Sequence, residues 1–148
     1  MKIAIANDHG GYNLKKLIIR YLAENKYEYI DLGCDSLESC DYPDYALKAA
    51  KEVKDGKCDF GILICGTGIG ISIAANKVKG IRAALCHDTF SAKAARAHNN
   101  ANMIAFGERV IGPSLMLEIL EAFLHTDFDG GRHEGRVDKI SSIEENQL

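Results

Sequence analysis

Short, unbroken apolar runs alternate along this chain with longer stretches in which apolar residues recur every three or four positions. The unbroken runs predict strands buried on both faces, and the spaced ones predict helices with one face turned inward. Strands are expected at 2–7, 27–32, 60–65, 81–86 and 102–106. Between the first two, residues 12–24 carry Leu14, Leu17, Ile18, Tyr21 and Leu22 on one helical face. Pro43 suits the first turn of a helix to about residue 54, and Pro113 the first turn of one to about residue 125. A helix at 68–77 comes after the third strand, and Asp88 can cap another at 89–98. The loop 33–43 holds Cys34 and Cys40. Past the Gly130-Gly131 corner, Val137, Ile140 and Ile143 fall at helical spacing in a polar tail.

Strand–helix alternation with no period-two pattern in the strands predicts an α/β fold. We expect a single doubly wound, Rossmann-like domain over residues 1–148, with a five-stranded parallel sheet flanked by helices. The tail has too little apolar surface to stand alone. Its C-terminal helix is expected to dock on the body or to reach to a partner subunit.

Composition narrows the function classes. The chain is 47% hydrophobic and 26% charged, as an ordinary globular protein is. A net charge of -3 excludes nucleic-acid binding through bulk charge. No apolar run approaches the roughly 20 residues that span a bilayer. The N-terminus lacks the apolar core and cleavage site of a signal peptide. The expectation is a cytoplasmic protein with no nucleic-acid or membrane partner. The five cysteines, Cys34, Cys40, Cys58, Cys65 and Cys86, form no CxxC pair, which points to reduced thiols and no zinc site.

Open α/β sheets bind ligands beyond the carboxyl ends of their strands. Those ends carry Asn7-Asp8-His9-Gly10-Gly11, Cys65-Gly66-Thr67-Gly68-Ile69-Gly70, His87-Asp88 and Gly107-Glu108-Arg109. Polar, titratable and glycine-rich residues gathered on one rim favour an enzyme over a scaffold. The second segment is the strongest signal. Glycines at 66, 68 and 70 let the backbone turn tightly and aim N–H groups at an anion. A Walker A loop would need Gly-Lys-Ser/Thr at its end, and none is present. A dinucleotide fingerprint would come after the first strand and read GxGxxG, whereas this GxGxG comes after the third. A Cys-x5-Arg phosphatase loop would need arginine where Ile71 stands. What remains is a thiol beside an oxyanion hole, and the adjoining helix is expected to lower that thiol's pKa.

Other residues keep two readings on local pattern alone. His98 closes a helix, where a histidine also serves simply to complement the helix dipole. Asp8 and His9 suit a turn as well as a site. Arg132 and Arg136 share a helical face and fit a phosphate, and equally fit a solvated surface.

The motifs at 7–11, Asp41-Tyr42-Pro43, 64–77 and Gly130-Gly131-Arg132-His133 together resemble B-type ribose-5-phosphate isomerases, a family that includes galactose-6-phosphate isomerase subunits. The resemblance runs over essentially the whole chain. It implies interconversion of ribose 5-phosphate and ribulose 5-phosphate through a cis-enediolate, with no cofactor and no metal. It makes Cys65 the base, and gives the enediolate oxygen to Thr67 and the backbone of Gly66, Gly68, Ile69 and Gly70. It makes His98 the acid that opens the furanose ring. It puts Asp8, Tyr42 and Asn99 on the sugar, and His9, Arg109, Arg132 and Arg136 on the phosphate. It further implies a homo-oligomer, a dimer or a tetramer, with shared active sites. One branch of the family has a glutamate base at the position of Ile71, so this chain resembles the cysteine branch. The alternatives are an isomerase of a six-carbon sugar phosphate, such as allose or galactose 6-phosphate, and a non-catalytic phosphosugar-binding protein.

Overall fold

A computed structural model describes residues 1–146. Five parallel strands form the sheet: β1 Lys2–Asn7, β2 Glu28–Asp31, β3 Phe60–Cys65, β4 Ala83–Leu85 and β5 Met103–Gly107. Six α-helices accompany them: α1 Tyr12–Glu24, α2 Tyr42–Lys54, α3 Ile69–Ala75, α4 Thr89–Ala97, α5 Pro113–Leu124 and α6 Glu134–Glu144. Strand order is β2-β1-β3-β5-β4. The chain steps outward from β1 to β2, then crosses back to β3, so the sheet has a switch point between β1 and β3. It reverses again when β5 inserts between β3 and β4.

Alternate side chains feed two cores. Ile3, Ile5, Ile62, Ile64, Ile104 and Phe106 pack with α1, α4 and α5. Ala4, Ala6, Leu63, Cys65, Met103 and Ala105 pack with α2 and α3. This partition comes from right-handed crossovers: links that step one way along the sheet put their helices on one face, and links that step back use the other. The second face is rich in alanine, with Ala46, Ala49 and Ala50 of α2 fully buried, so α2 lies close to the sheet. That closeness brings the start of α2 next to the end of β3.

Two elements are shorter than their sequence patterns. The apolar run 81–86 gives a ladder only at Ala83–Leu85, because β4 is an edge strand with one neighbour. Helix α3 stops at Ala75 because the next side chain is used elsewhere. Asn76 Nδ2 donates to the Ala83 carbonyl and its Oδ1 accepts from the Ala83 N–H, each at 2.8 Å. The side-chain amide thus pairs with the edge as a short strand would, which blunts it. Helix α6 forms where expected but has no buried residue. Among the described residues its tip is tied to the body by Gly80 N–H donating to Glu144 Oε2 at 3.0 Å.

One buried cation holds the loop 32–41 in place. Lys15, 2% exposed, donates from Nζ to the Cys34 carbonyl at 2.8 Å and pairs with Asp31 and Asp35 at 3.0 Å each. Burial disfavours its charge, but the two carboxylates outweigh that and push its pKa above the usual lysine value. A lysine pKa raised by folding adds stability that is full below pH 10.5 and is lost above it. Lys15→Ala is expected to lower stability by about 1–3 kcal/mol, since both carboxylates can rehydrate while the buried Cys34 carbonyl loses its shorter bond and keeps only the one from Asn7 Nδ2 at 3.2 Å. Urea unfolding at pH 7 measures this, and the gap from the native chain should narrow above pH 11.

Candidate active site

The carboxyl ends of β1, β3 and β5 meet at the switch point around a cavity of about 220 Å³. Asp8, His9 and Gly10 enter from β1, and Cys65, Gly66, Thr67 and Gly70 from β3. Arg109 enters from β5, and Tyr42 from the start of α2.

Cys65 ends β3 and is 4% exposed. Its Sγ accepts the Gly68 N–H at 3.0 Å. The Ile69 N–H is also engaged, donating to Thr67 Oγ1 at 3.3 Å. Two of the five N–H groups in the loop 66–70 are therefore already engaged within the loop. Gly66, Thr67 and Gly70 remain as donors for an oxyanion in the cavity. Gly68 sits at φ +76, the left-handed conformation that makes the turn from strand to helix possible. At Gly70 the requirement is space: a Cβ there would lie 2.7 Å from Tyr42 Cζ. The Tyr42 ring thus roofs the loop. A Cβ on Gly66 would lie 3.1 Å from a guanidinium nitrogen of Arg109, so that cation borders the loop directly.

Asp8 is buried, and its Oδ1 accepts the Gly10 N–H at 2.8 Å. Burial raises its pKa above the usual 3.8; the Gly10 hydrogen bond, His9 and Arg109 only partly offset this. His9 Nδ1 accepts the Cys40 N–H at 3.2 Å. Accepting at Nδ1 leaves Nε2 as the N–H donor of the neutral ring, a tautomer suited to an anion. Cys40 lies in the loop held by Lys15, so the fold sets the tautomer from outside the cavity. Glu108, on the same rim, caps α1: its carboxylate accepts from Leu14 N at 2.8 Å and Asn13 Nδ2 at 3.1 Å.

Four of the expected site residues do not line this cavity. His98 and Asn99 come after α4, Arg132 lies in the 3-10 turn Gly131–His133 just before α6, and Arg136 lies in the first turn of α6. The segment 99–102 packs at the amino ends of the strands: Arg82 Nε donates to the Asn99 carbonyl at 3.1 Å, and Gly61 N donates to the Asn102 carbonyl at 3.0 Å. His98 therefore stands at the opposite rim from Cys65, roughly 15–20 Å along the strands. Asp129 joins it there, its N–H donating to the Ala97 carbonyl at 3.0 Å. Two more residues diverge from expectation. Gly68 is turned to the sulfur, and Ile69 is 50% exposed and off the cavity. Gly10 and His133 lie outside the set of expected site residues. Gly10 borders the cavity, and the ring of His133 stacks on that of His98. Both stand in motifs the sequence shows plainly, but the contacts themselves are non-local.

Comparison with known proteins decides the family. The Ribose/Galactose Isomerase family model matches residues 3–140. The chain belongs to this family. It is 50% identical to ribose-5-phosphate isomerase B of Escherichia coli over 97% of both chains. It is 49% identical to D-erythrulose-4-phosphate isomerase of Pectobacterium atrosepticum, covering 97% of this chain and 95% of the relative. The solved ribose-5-phosphate isomerase B of Clostridium thermocellum superposes with a TM-score of 0.98 at 55% identity, over the whole of both chains. No helix among the described residues is long and apolar enough to cross a membrane.

The raised Asp8 carboxyl has a consequence for stability. A carboxyl whose pKa rises on folding binds its proton more tightly in the native state, so native stability falls as pH climbs past 3.8. Asn keeps the acceptor for Gly10 and removes the buried charge. Asp8→Asn is therefore expected to raise Tm at pH 7, with the difference shrinking toward pH 4, while activity falls. Thermal unfolding at both pH values, beside a turnover assay, checks this.

Proposed function

We propose that this isomerase interconverts ribose 5-phosphate and ribulose 5-phosphate through a cis-enediolate, with Cys65 as base. The observation that carries the reading is the cavity itself. It holds a strand-end thiol, open N–H groups at Gly66, Thr67 and Gly70, and cation or N–H donors at His9 and Arg109. Sγ takes the proton from C2 of the open aldose. The C–H electron pair becomes the C1–C2 double bond, and negative charge gathers on O1, where the loop N–H groups meet it. The proton returns to C1 while the O2 hydroxyl proton passes to O1, which leaves the ketose. Asp8 and Tyr42 orient the sugar hydroxyls. His9 and Arg109 bind the phosphate, remote from the reacting carbons.

His98 would open the furanose ring, and Asn99, Arg132 and Arg136 would complete the sugar and phosphate contacts. With His98 at the opposite rim, these residues reach a Cys65 cavity only from a second copy of the chain. A set of exposed apolar side chains supports such an assembly. Ile69, Ile73, Leu85, Phe90 and Val110 stand on segments leaving the Cys65 rim, and Phe90 is 79% exposed. Apolar side chains gathered this way mark an interaction surface. The functional unit is then a homodimer, or a tetramer made of two such dimers, with shared sites. A non-catalytic phosphosugar-binding protein would have no need of a thiol aimed into an oxyanion loop.

A relative named for a four-carbon substrate is as similar as one named for a five-carbon substrate. Chain length is therefore read from kcat/KM across four-, five- and six-carbon aldose phosphates, and the five-carbon sugar is expected to lead. A six-carbon preference would replace the substrate and leave the chemistry.

Cys65→Ala is expected to lower kcat on ribose 5-phosphate by about 10³-fold. An unchanged rate would remove Cys65 as the base. Mixing Cys65→Ala chains with His98→Asn chains tests the shared site. Each mixed dimer would hold one intact site and one doubly altered site, so about a quarter of native activity should return after exchange of subunits. Sites built within single chains would give no recovery.

A further inference from the structure

His133 closes the Gly130-Gly131-Arg132-His133 run and has no part in the proton transfer at Cys65. It ends the short 3-10 turn Gly131–His133 and is 8% exposed. Its imidazole lies flat against that of His98, with centroids 4.3 Å apart and planes at 5°. His98 itself is exposed at the end of α4, and its N–H donates to the Ala94 carbonyl at 2.9 Å. The stack is built by a sharp reversal of the chain. Gly130 and Gly131 take φ of +62 and +54, the left-handed region, and fold the segment after α5 back over the end of α4. Asp129 N–H fastens that fold to the Ala97 carbonyl at 3.0 Å.

We propose that His133 is the positioning residue for His98, its stacked ring fixing the plane in which His98 meets the ring oxygen of the sugar. The proposal rests on His98 as the ring-opening acid. Opening the furanose breaks the C1–O4 bond, delivers a proton to O4 and removes the proton of the O1 hydroxyl. An imidazole does this only when a nitrogen lies in line with O4. An exposed histidine at a helix end would otherwise turn about both side-chain torsions, and misplacement by an ångström is costly in rate. A flat buried partner removes most of that freedom without touching the sugar.

The same three groups do not make a metal site. His98, Asp129 and His133 bring potential ligand atoms within 4.8 Å of one another. A metal takes the in-plane lone pair of each imidazole. Lone pairs in two planes at 5° run side by side and do not converge on one ion. Stacking instead suits a neutral ring beside one that can carry a proton. Removal from water, then the neighbouring His98, Arg132 and Arg136, push the His133 pKa below the usual histidine value, with Asp129 opposing. The ring stacked on His98 is thus held toward its neutral form.

The test compares two reactions of one enzyme. Turnover of ribose 5-phosphate begins from a closed ring. Exchange of the C1 proton of ribulose 5-phosphate with deuterated solvent needs no ring step. His133→Ala is expected to lower the first about tenfold more than the second. His133→Phe keeps a flat ring without nitrogens and should return ring-dependent turnover to within about threefold of native. Retained exchange in both variants shows that the fold and the Cys65 site are intact. Equal losses in the two reactions, or a Phe variant no better than Ala, would overturn the positioning role. His98→Asn run in parallel separates the two claims. If it also slows both reactions equally, His98 is not the ring-opening acid and the role of His133 falls with it. If His98→Asn splits the reactions and His133→Ala does not, the positioning role alone fails.

Discussion

All five strands point the same way, and the placement of the chemistry depends on that. In a parallel sheet each strand ends on one rim and each crossover helix ends on the other. A thiol at the end of β3 and a histidine at the end of α4 are therefore separated by the full length of the strands, whatever the packing around them. No adjustment of loops within one chain closes that gap. In the proposed reaction, the acid half of the site must arrive on another copy. The apolar side chains left exposed around the Cys65 rim are what such an arrival would cover.

Within one chain, the cavity depends on how closely backbones approach each other. Three segments converge at the switch point, and the glycines there mark where a side chain would collide. Tyr42 lies over Gly70, and the Arg109 guanidinium borders Gly66. These neighbours are in turn set by packing outside the cavity. Tyr42 is near because an alanine-rich face lets α2 lie against the sheet. His9 presents Nε2 because Cys40 occupies Nδ1, and Cys40 is placed by a loop that Lys15 holds. A buried lysine outside the cavity thus bears on the hydrogen-bonding state of His9.

Much of this was legible from the residues. Apolar runs located the central strands β1, β3 and β5, because a strand covered on both faces cannot tolerate alternation; the edge strands β2 and β4 are less covered, and β2 carries Glu28 and Asp31. The short segments just past the strand ends contain every side chain that lines the cavity from β1, β3 and β5, because a parallel sheet puts those ends on one rim. Non-local contacts were beyond local pattern. Nothing in 102–106 says that β5 inserts between β3 and β4. Nothing in 68–77 says that Asn76 leaves its helix to pair with an edge strand. The opposed rims of Cys65 and His98 were implicit in the predicted topology, since one ends a strand and the other ends a helix. The stack of His133 on His98 needed the structure, because 35 positions separate them and the left-handed turn at Gly130 and Gly131 brings them together.

Dividing base from acid between two chains, as the proposed reaction requires, also has a chemical logic. Enolisation needs a base and an oxyanion hole packed tightly against C1 and C2, and a glycine loop at a strand end supplies both. Ring opening needs an acid in line with O4, approaching the sugar from another side. A single sheet rim presents its groups from beneath the ligand. A second chain can present its helix end from above, with the arginines beside it closing on the phosphate. Binding energy from that phosphate is then available only in the assembled site, which ties proton transfer to the closed, water-poor environment where an oxyanion hole is most effective. An isolated chain would keep the base and lose both the acid and most of the phosphate grip. In the proposed reaction assembly thus becomes a condition of catalysis as well as of covering apolar surface.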